Sequence, residues 1–186
     1  MNVKGTIWKA ALGMLMMSAT SVVRVGAAPT IWNGPTTNFT HINGSNPLLA
    51  ANQDRLTSDT WLTRGSSQGL FNAHNESAFS HFASPTGTAW ATGFLTNYAS
   101  LSYTDWNSWA KGVNAGPQST VGVNAVLHLI PDDIYLSVKF TSWTSGGAGG
   151  GFSYIRSTPL VIPEPSAALL LLAGGALLAK AARRRS

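Results

Sequence analysis

The chain contains no cysteine. Disulfides, zinc–thiolate centres and thiol nucleophiles are therefore excluded. Charge is scarce as well: Asp, Glu, Lys and Arg together make up 10% of the residues. Most of the basic charge sits at the two ends. Lys4, Lys9 and Arg24 lie in the first 27 residues, and Lys180, Arg183, Arg184 and Arg185 oppose only Glu164 in the tail. Between residues 28 and 161, five basic side chains (Arg55, Arg64, Lys111, Lys139, Arg156) meet six acidic ones (Asp54, Asp59, Glu76, Asp105, Asp132, Asp133), a balance of 5 − 6 = −1. The overall charge of +5 thus belongs to the ends and makes no case for a nucleic-acid partner. Catalytic signatures are missing too. No serine sits in a strand–elbow–helix setting of the Gly-x-Ser-x-Gly kind. The glycine run 146–151 lacks the Lys-Ser/Thr and the following helix of a phosphate loop. Nothing in the spacing of the six acids marks out a glycosidase pair.

What is present begins with two hydrophobic ends. Lys4 and Lys9 precede the apolar run Ala10 to Val23, and Val25-Gly26-Ala27 follows with residues suited to a signal peptidase. Residues 1–27 therefore read as a signal peptide cut after Ala27, too short in their apolar part to span a bilayer comfortably. At the other end, Pro163-Glu164-Pro165 leads into an apolar segment, residues 166–182, and then Arg183-Arg184-Arg185. The two prolines hold Glu164 in an extended backbone, as a protease needs. Seventeen helical residues span about 25 Å, short of a ~30 Å hydrocarbon core, and snorkelling by Lys180 makes up part of the difference. The arginines act as a cytoplasmic basic stop and leave the rest of the chain outside.

Pro-Glu-Pro, the apolar helix and the basic end, in that order, resemble the PEP-CTERM tail recognised by exosortases in exopolysaccharide-producing Gram-negative bacteria. The resemblance covers residues 161–186. It implies an exosortase partner that cuts at Pro163-Glu164-Pro165, with inner-membrane anchoring before processing and a cell-surface or extracellular location afterwards. Residues 63–70, 84–90 and 128–158 resemble a set of secreted bacterial proteins of unassigned function, which implies no particular activity.

The ~130 residues from 28 to 161 are the size of one domain. Val121, Val123, Ala125, Leu127 and Leu129 alternate with other residues, as do Ile134, Leu136, Val138 and Phe140, with Pro131-Asp132-Asp133 between the two runs. Period-two alternation around a short turn predicts an antiparallel hairpin over 121–129 and 134–140. Val123, Leu127, Leu136, Val138 and Phe140 should be buried and Lys139 exposed. A further strand is expected over 151–157, after a glycine loop, and shorter ones near 30–32, 38–42, 60–64 and 89–92. Thr104 is expected to cap one short helix reaching Ala110. Many short strands with Gly/Pro-rich turns predict an all-β, jelly-roll-like β-sandwich at 28–161, preceded by the signal peptide and followed by the sorting tail at 162–186.

Candidate ligand contacts are few. Trp106 and Trp109, near polar loops, are the expected exposed pair among six domain tryptophans and would suit stacking on sugar rings; most of the six should be core. Asp132 and Asp133 are weak candidates for calcium, since paired acids in a hairpin are more often turn formers. His74, Glu76 and His81 share no single face of a strand or helix and read as polar surface. Arg156 is expected to pair with Asp132 or Asp133. No cofactor is expected. The function this supports is an exported envelope or extracellular-matrix protein with a non-enzymatic structural or exopolysaccharide-associated domain; the alternative is a small secreted hydrolase of a glycan or ester.

Overall fold

The computed structural model describes residues 27–114 and 116–161. The expected signal peptide, the Pro163-Glu164-Pro165 motif, the membrane helix 166–182 and Arg183–Arg185 lie outside the described residues, apart from Ala27. Among the described residues β structure dominates, with one α-helix and three short 3₁₀ turns.

The alternating runs form the centre of the larger sheet. Strands β7 (Asn124–Leu129) and β8 (Ile134–Trp143) pair antiparallel, Leu127 opposite Leu136 and Leu129 opposite Ile134. Leu136, Val138 and Phe140 are buried while Lys139 is exposed, as the period requires. The first strand is shorter than its hydrophobic pattern. A 3₁₀ turn at Pro117–Thr120 and Gly122 at φ +84° interrupt the extended backbone, so Val121 is 39% exposed and Val123 only half-buried.

Strand β9 (Phe152–Ser157) lies against the second half of β8, and β1 (Thr30–Trp32) runs parallel to its first half along Ile134–Leu136. With β2 (Thr36–His41) and β6 (Thr88–Thr92), the order becomes β2-β9-β8-β7-β6. A second, three-stranded antiparallel sheet comprises β3 (Asp54–Arg55), β4 (Trp61–Arg64) and β5 (Leu70–Asn72). The helix α1 spans Trp106–Asn114. Asp105, rather than Thr104, caps it by accepting from Ser108 N at 3.0 Å; Thr104 is drawn off into a bridge with Trp90.

Both sheets and the helix contribute to one apolar cluster. Leu62 and Leu70 come from the small sheet, Leu127, Leu136, Val138 and Phe140 from the large one, and Trp106, Trp109 and Ala110 from α1. Each such leucine or phenylalanine contributes roughly 1.5–3 kcal/mol by leaving water. The sheets are also tied by charge. Arg156 of β9 donates from Nε to Asp54 Oδ2 (2.6 Å) and from Nη2 to Oδ1 (2.8 Å), and Tyr154 Oη donates to Asp54 Oδ2 (2.7 Å). The expected partner of Arg156 was Asp132 or Asp133; the true one is remote in sequence, on β3.

Candidate functional site

The phase of strand β4 sets the site. Leu62 points into the core, and two residues on the same phase carries Arg64 inward, leaving it 2% exposed. Its guanidinium is held by carbonyls: Nε donates to Gln68 O (2.8 Å) and Nη1 to Thr144 O (3.0 Å) and Gly151 O (3.2 Å). The carbon of the guanidinium lies 3.9 Å from the ring centroid of Trp143, a cation–π contact. Arg64 makes no ion pair among the described residues, whose pairs are Arg156–Asp54, His128–Asp133 and His74–Asp59. Burial pulls its pKa down to about 10, so it remains a cation at neutral pH in a place that disfavours charge.

Arg64 and Trp143 border a cleft of about 410 Å³, inside the ~300–1,000 Å³ range of small-molecule sites. One wall is α1, which presents Trp106, Asn107, Ala110 and Lys111, positions one turn apart on a single face. Phe79 and His81 form another side, and Ser67, Gln68, Gln118 and the glycine loop at Gly146 and Gly147 complete it. Gly69 makes this packing possible. A Cβ there would lie 2.5 Å from the Phe79 ring and 2.8 Å from Trp106 Nε1, so any side chain would force the two aromatics apart. Gly150, at φ +74°, likewise brings the glycine loop against the β4–β5 loop, where a Cβ would meet Gly65 O at 1.7 Å.

Two cations, three side-chain amides, a hydroxyl and an imidazole are the polar side chains that border the cleft. Asn107 is 6% exposed, and its Nδ2 is buried without a hydrogen-bond partner among the described residues. Lys111 is exposed, 5.9 Å from the Phe82 ring. Among the described residues no aspartate or glutamate borders the cleft. Ser67 and His81 both border it, and residues 65–69 spell Gly-x-Ser-x-Gly. That segment joins strand to strand instead of strand to helix, however, and no hydrogen bond links Ser67 to His81.

The tryptophans expected at the surface are inside. Trp106 is 1% and Trp109 4% exposed, because α1 lays both against Trp90 and Phe140. Trp106 still borders the cleft; Trp109 does not, and its indole N–H is used by Thr92 Oγ1 at 3.0 Å. Asp132 accepts from Thr57 Oγ1 (2.7 Å) and Asp133 contacts His128 Nε2 (3.0 Å), so both serve the hairpin and its neighbours. Among the described residues no three potential metal ligands converge. His74 packs on Trp61, His81 on Phe79, and Glu76 is consumed by Asn72 N (2.7 Å), Thr86 N (3.0 Å) and Ser84 Oγ. The residues that sequence reasoning missed are Arg64, Asn107 and Trp143. The available signal was Arg64 itself, a charge on the inward phase of a strand in a domain with few charges.

No curated protein and no solved structure matches the chain. Residues 161–186 match the PEP-CTERM protein-sorting motif, so the chain carries that tail and is an exported protein addressed to an exosortase.

Proposed function

We propose that the protein is a non-enzymatic, saccharide-associated module of the cell envelope or extracellular matrix, a jelly-roll-like sandwich delivered by its sorting tail. The observation that carries this reading is the cleft. Aromatic walls from Trp106, Trp143 and Phe79 stand beside the amides of Gln68, Asn107 and Gln118, a combination suited to sugar C–H faces and hydroxyls. A glycosidase would need two carboxylates across such a site, and among the described residues none borders this one. Glycan-array binding of the full-length chain tests the reading. Binding to a saccharide series that weakens with Trp143→Leu is expected; a folded chain that binds no glycan would reject it.

The hydrolase alternative has one observation in its favour, the shared placement of Ser67 and His81 on the cleft. No carboxylate backs the imidazole, as the Ser-His-Asp arrangement requires. Hydrolysis of p-nitrophenyl acetate that disappears in Ser67→Ala would favour the enzyme over the binding module.

A further inference from the structure

We propose that the cleft selects an acidic sugar, a hexuronate unit whose carboxylate is taken by Arg64 and Lys111 while its ring lies against the aromatic wall. The inference rests on the reading of the domain as saccharide-binding and adds the charge of the ligand. Arg64 and Lys111 border the cleft, and no acid among the described residues does. Arg64 spends Nε and Nη1 on carbonyl oxygens and has no carboxylate partner, while Nη2 makes no hydrogen bond to a described residue. The guanidinium, fixed over Trp143 by its carbonyl bonds, offers Nη2 as a charged donor to a carboxylate. The buried, unpartnered Nδ2 of Asn107 is a further donor on the same cleft. A neutral sugar could use the aromatic wall and the amides but would leave the charge of Arg64 uncompensated. A simple inorganic anion would meet the charge and leave the aromatic wall idle.

The backbone agrees with a built site. Gln68, which borders the cleft, has φ +70°, and Phe82, next to the bordering His81, has φ +62°. Left-handed backbone at non-glycine residues is costly and concentrates at ligand sites.

Isothermal titration of the full-length chain in a polyoxyethylene detergent, which has no sugar headgroup, compares digalacturonate, neutral galactobiose and sodium acetate. Digalacturonate should bind at least tenfold more tightly than galactobiose, acetate should bind far more weakly than either, and the preference should shrink as NaCl is raised. Lys111→Gln, at an exposed position, should cut digalacturonate affinity several-fold more than galactobiose affinity. Arg64→Lys keeps a positive charge but loses the planar group over Trp143 and its Nη2 donor, and should remove most of the preference. Equal affinity for the acidic and neutral disaccharides would overturn this inference and leave the saccharide reading standing. Binding of neither sugar would overturn both. Acetate binding as tightly as digalacturonate would mean an anion site without sugar recognition, which also rejects the proposal.

Discussion

Removing the carboxylate of Asp54 should be among the most damaging single changes in the domain. Its side chain is 8% exposed and Arg156's is 12% exposed, so neither can recover solvent without the sheets separating. In Asp54→Ala, Arg156 keeps its charge without its bidentate partner, and Tyr154 Oη loses its acceptor. Breaking one side of a buried ion pair costs about 3–5 kcal/mol, and an orphaned buried hydroxyl about 1–3 kcal/mol. Both depend on the same carboxylate, so the two are not additive and the loss should be about 4 kcal/mol. Burial pulls the Arg156 pKa down, but the hydrogen bonds and charge of Asp54 more than offset that and raise it. The carboxylate therefore strengthens the cation by more than burial weakens it.

Against a total stability of about 5–15 kcal/mol, this should lower Tm by roughly 10–20 °C. Urea unfolding of the full-length chain in detergent, followed by tryptophan fluorescence, measures it. The double variant Asp54→Ala with Arg156→Met removes the stranded charge along with its partner and should recover more than half of the loss. A single variant that loses under about 1 kcal/mol, or a double variant no better than the single one, would refute the view that this pair joins the two sheets.

Two further outcomes follow from single groups. His41 is buried with neither ring nitrogen partnered among the described residues, and burial followed by the nearby charge of Arg64 lowers its pKa from 6.5; the unfolded chain then takes up a proton below pH 6.5 that the native state refuses. Stability should be full above that pH and fall as pH drops below it, and His41→Phe should flatten this part of a Tm-against-pH curve. In the tail, Glu164→Ala leaves the apolar segment 166–182 and the arginines intact, so membrane insertion should be normal while release by the exosortase fails; immunoblots that show wild type and variant partitioning identically between membrane and extracellular fractions would contradict recognition at Pro163-Glu164-Pro165.

Period-two alternation made the 124–143 hairpin legible, because side chains that alternate in polarity can satisfy only one register on a half-buried sheet. It carried less information at the start of β7, where valines continue the pattern through Gly122 after the backbone has left the sheet. Strands β3 and β5 were not expected: they lie among Gly, Ser, Asn and Asp residues that signal turns, and Asp54 looks like a turn residue until its partner on β9 is known. The same limit hid the cleft. Arg64, Asn107 and Trp143 belong to three separate elements, and only tertiary packing places them around one space. Trp106 and Trp109 were misjudged because helical spacing shows that two side chains share a face without showing whether that face meets water or the core.

The scarcity of charge gives the cleft its sign. Each acid of the described domain has work elsewhere. Asp54 holds Arg156 and Tyr154, and Glu76 closes its own loop. Asp105 caps α1, Asp132 receives Thr57, Asp133 meets His128, and Asp59 lies between Ser58 and His74. The basic residues are distributed by a different rule. Arg55, Arg64, Lys111 and Arg156 each lie within 6.0 Å of an aromatic ring centroid, and only Arg156 also has a close carboxylate. Arg64, with its ring Trp143, and Lys111 border the same cleft. A domain with a net charge of −1 can therefore hold a locally positive, aromatic-lined site, because its acids are fixed in structural contacts and none is left to neutralise it. Local potential at short range depends on these placements and not on the total. Moving one acid would be enough to change it: a glutamate at Gln118, on the cleft wall, would supply the missing countercharge and should weaken acidic ligands while sparing neutral ones.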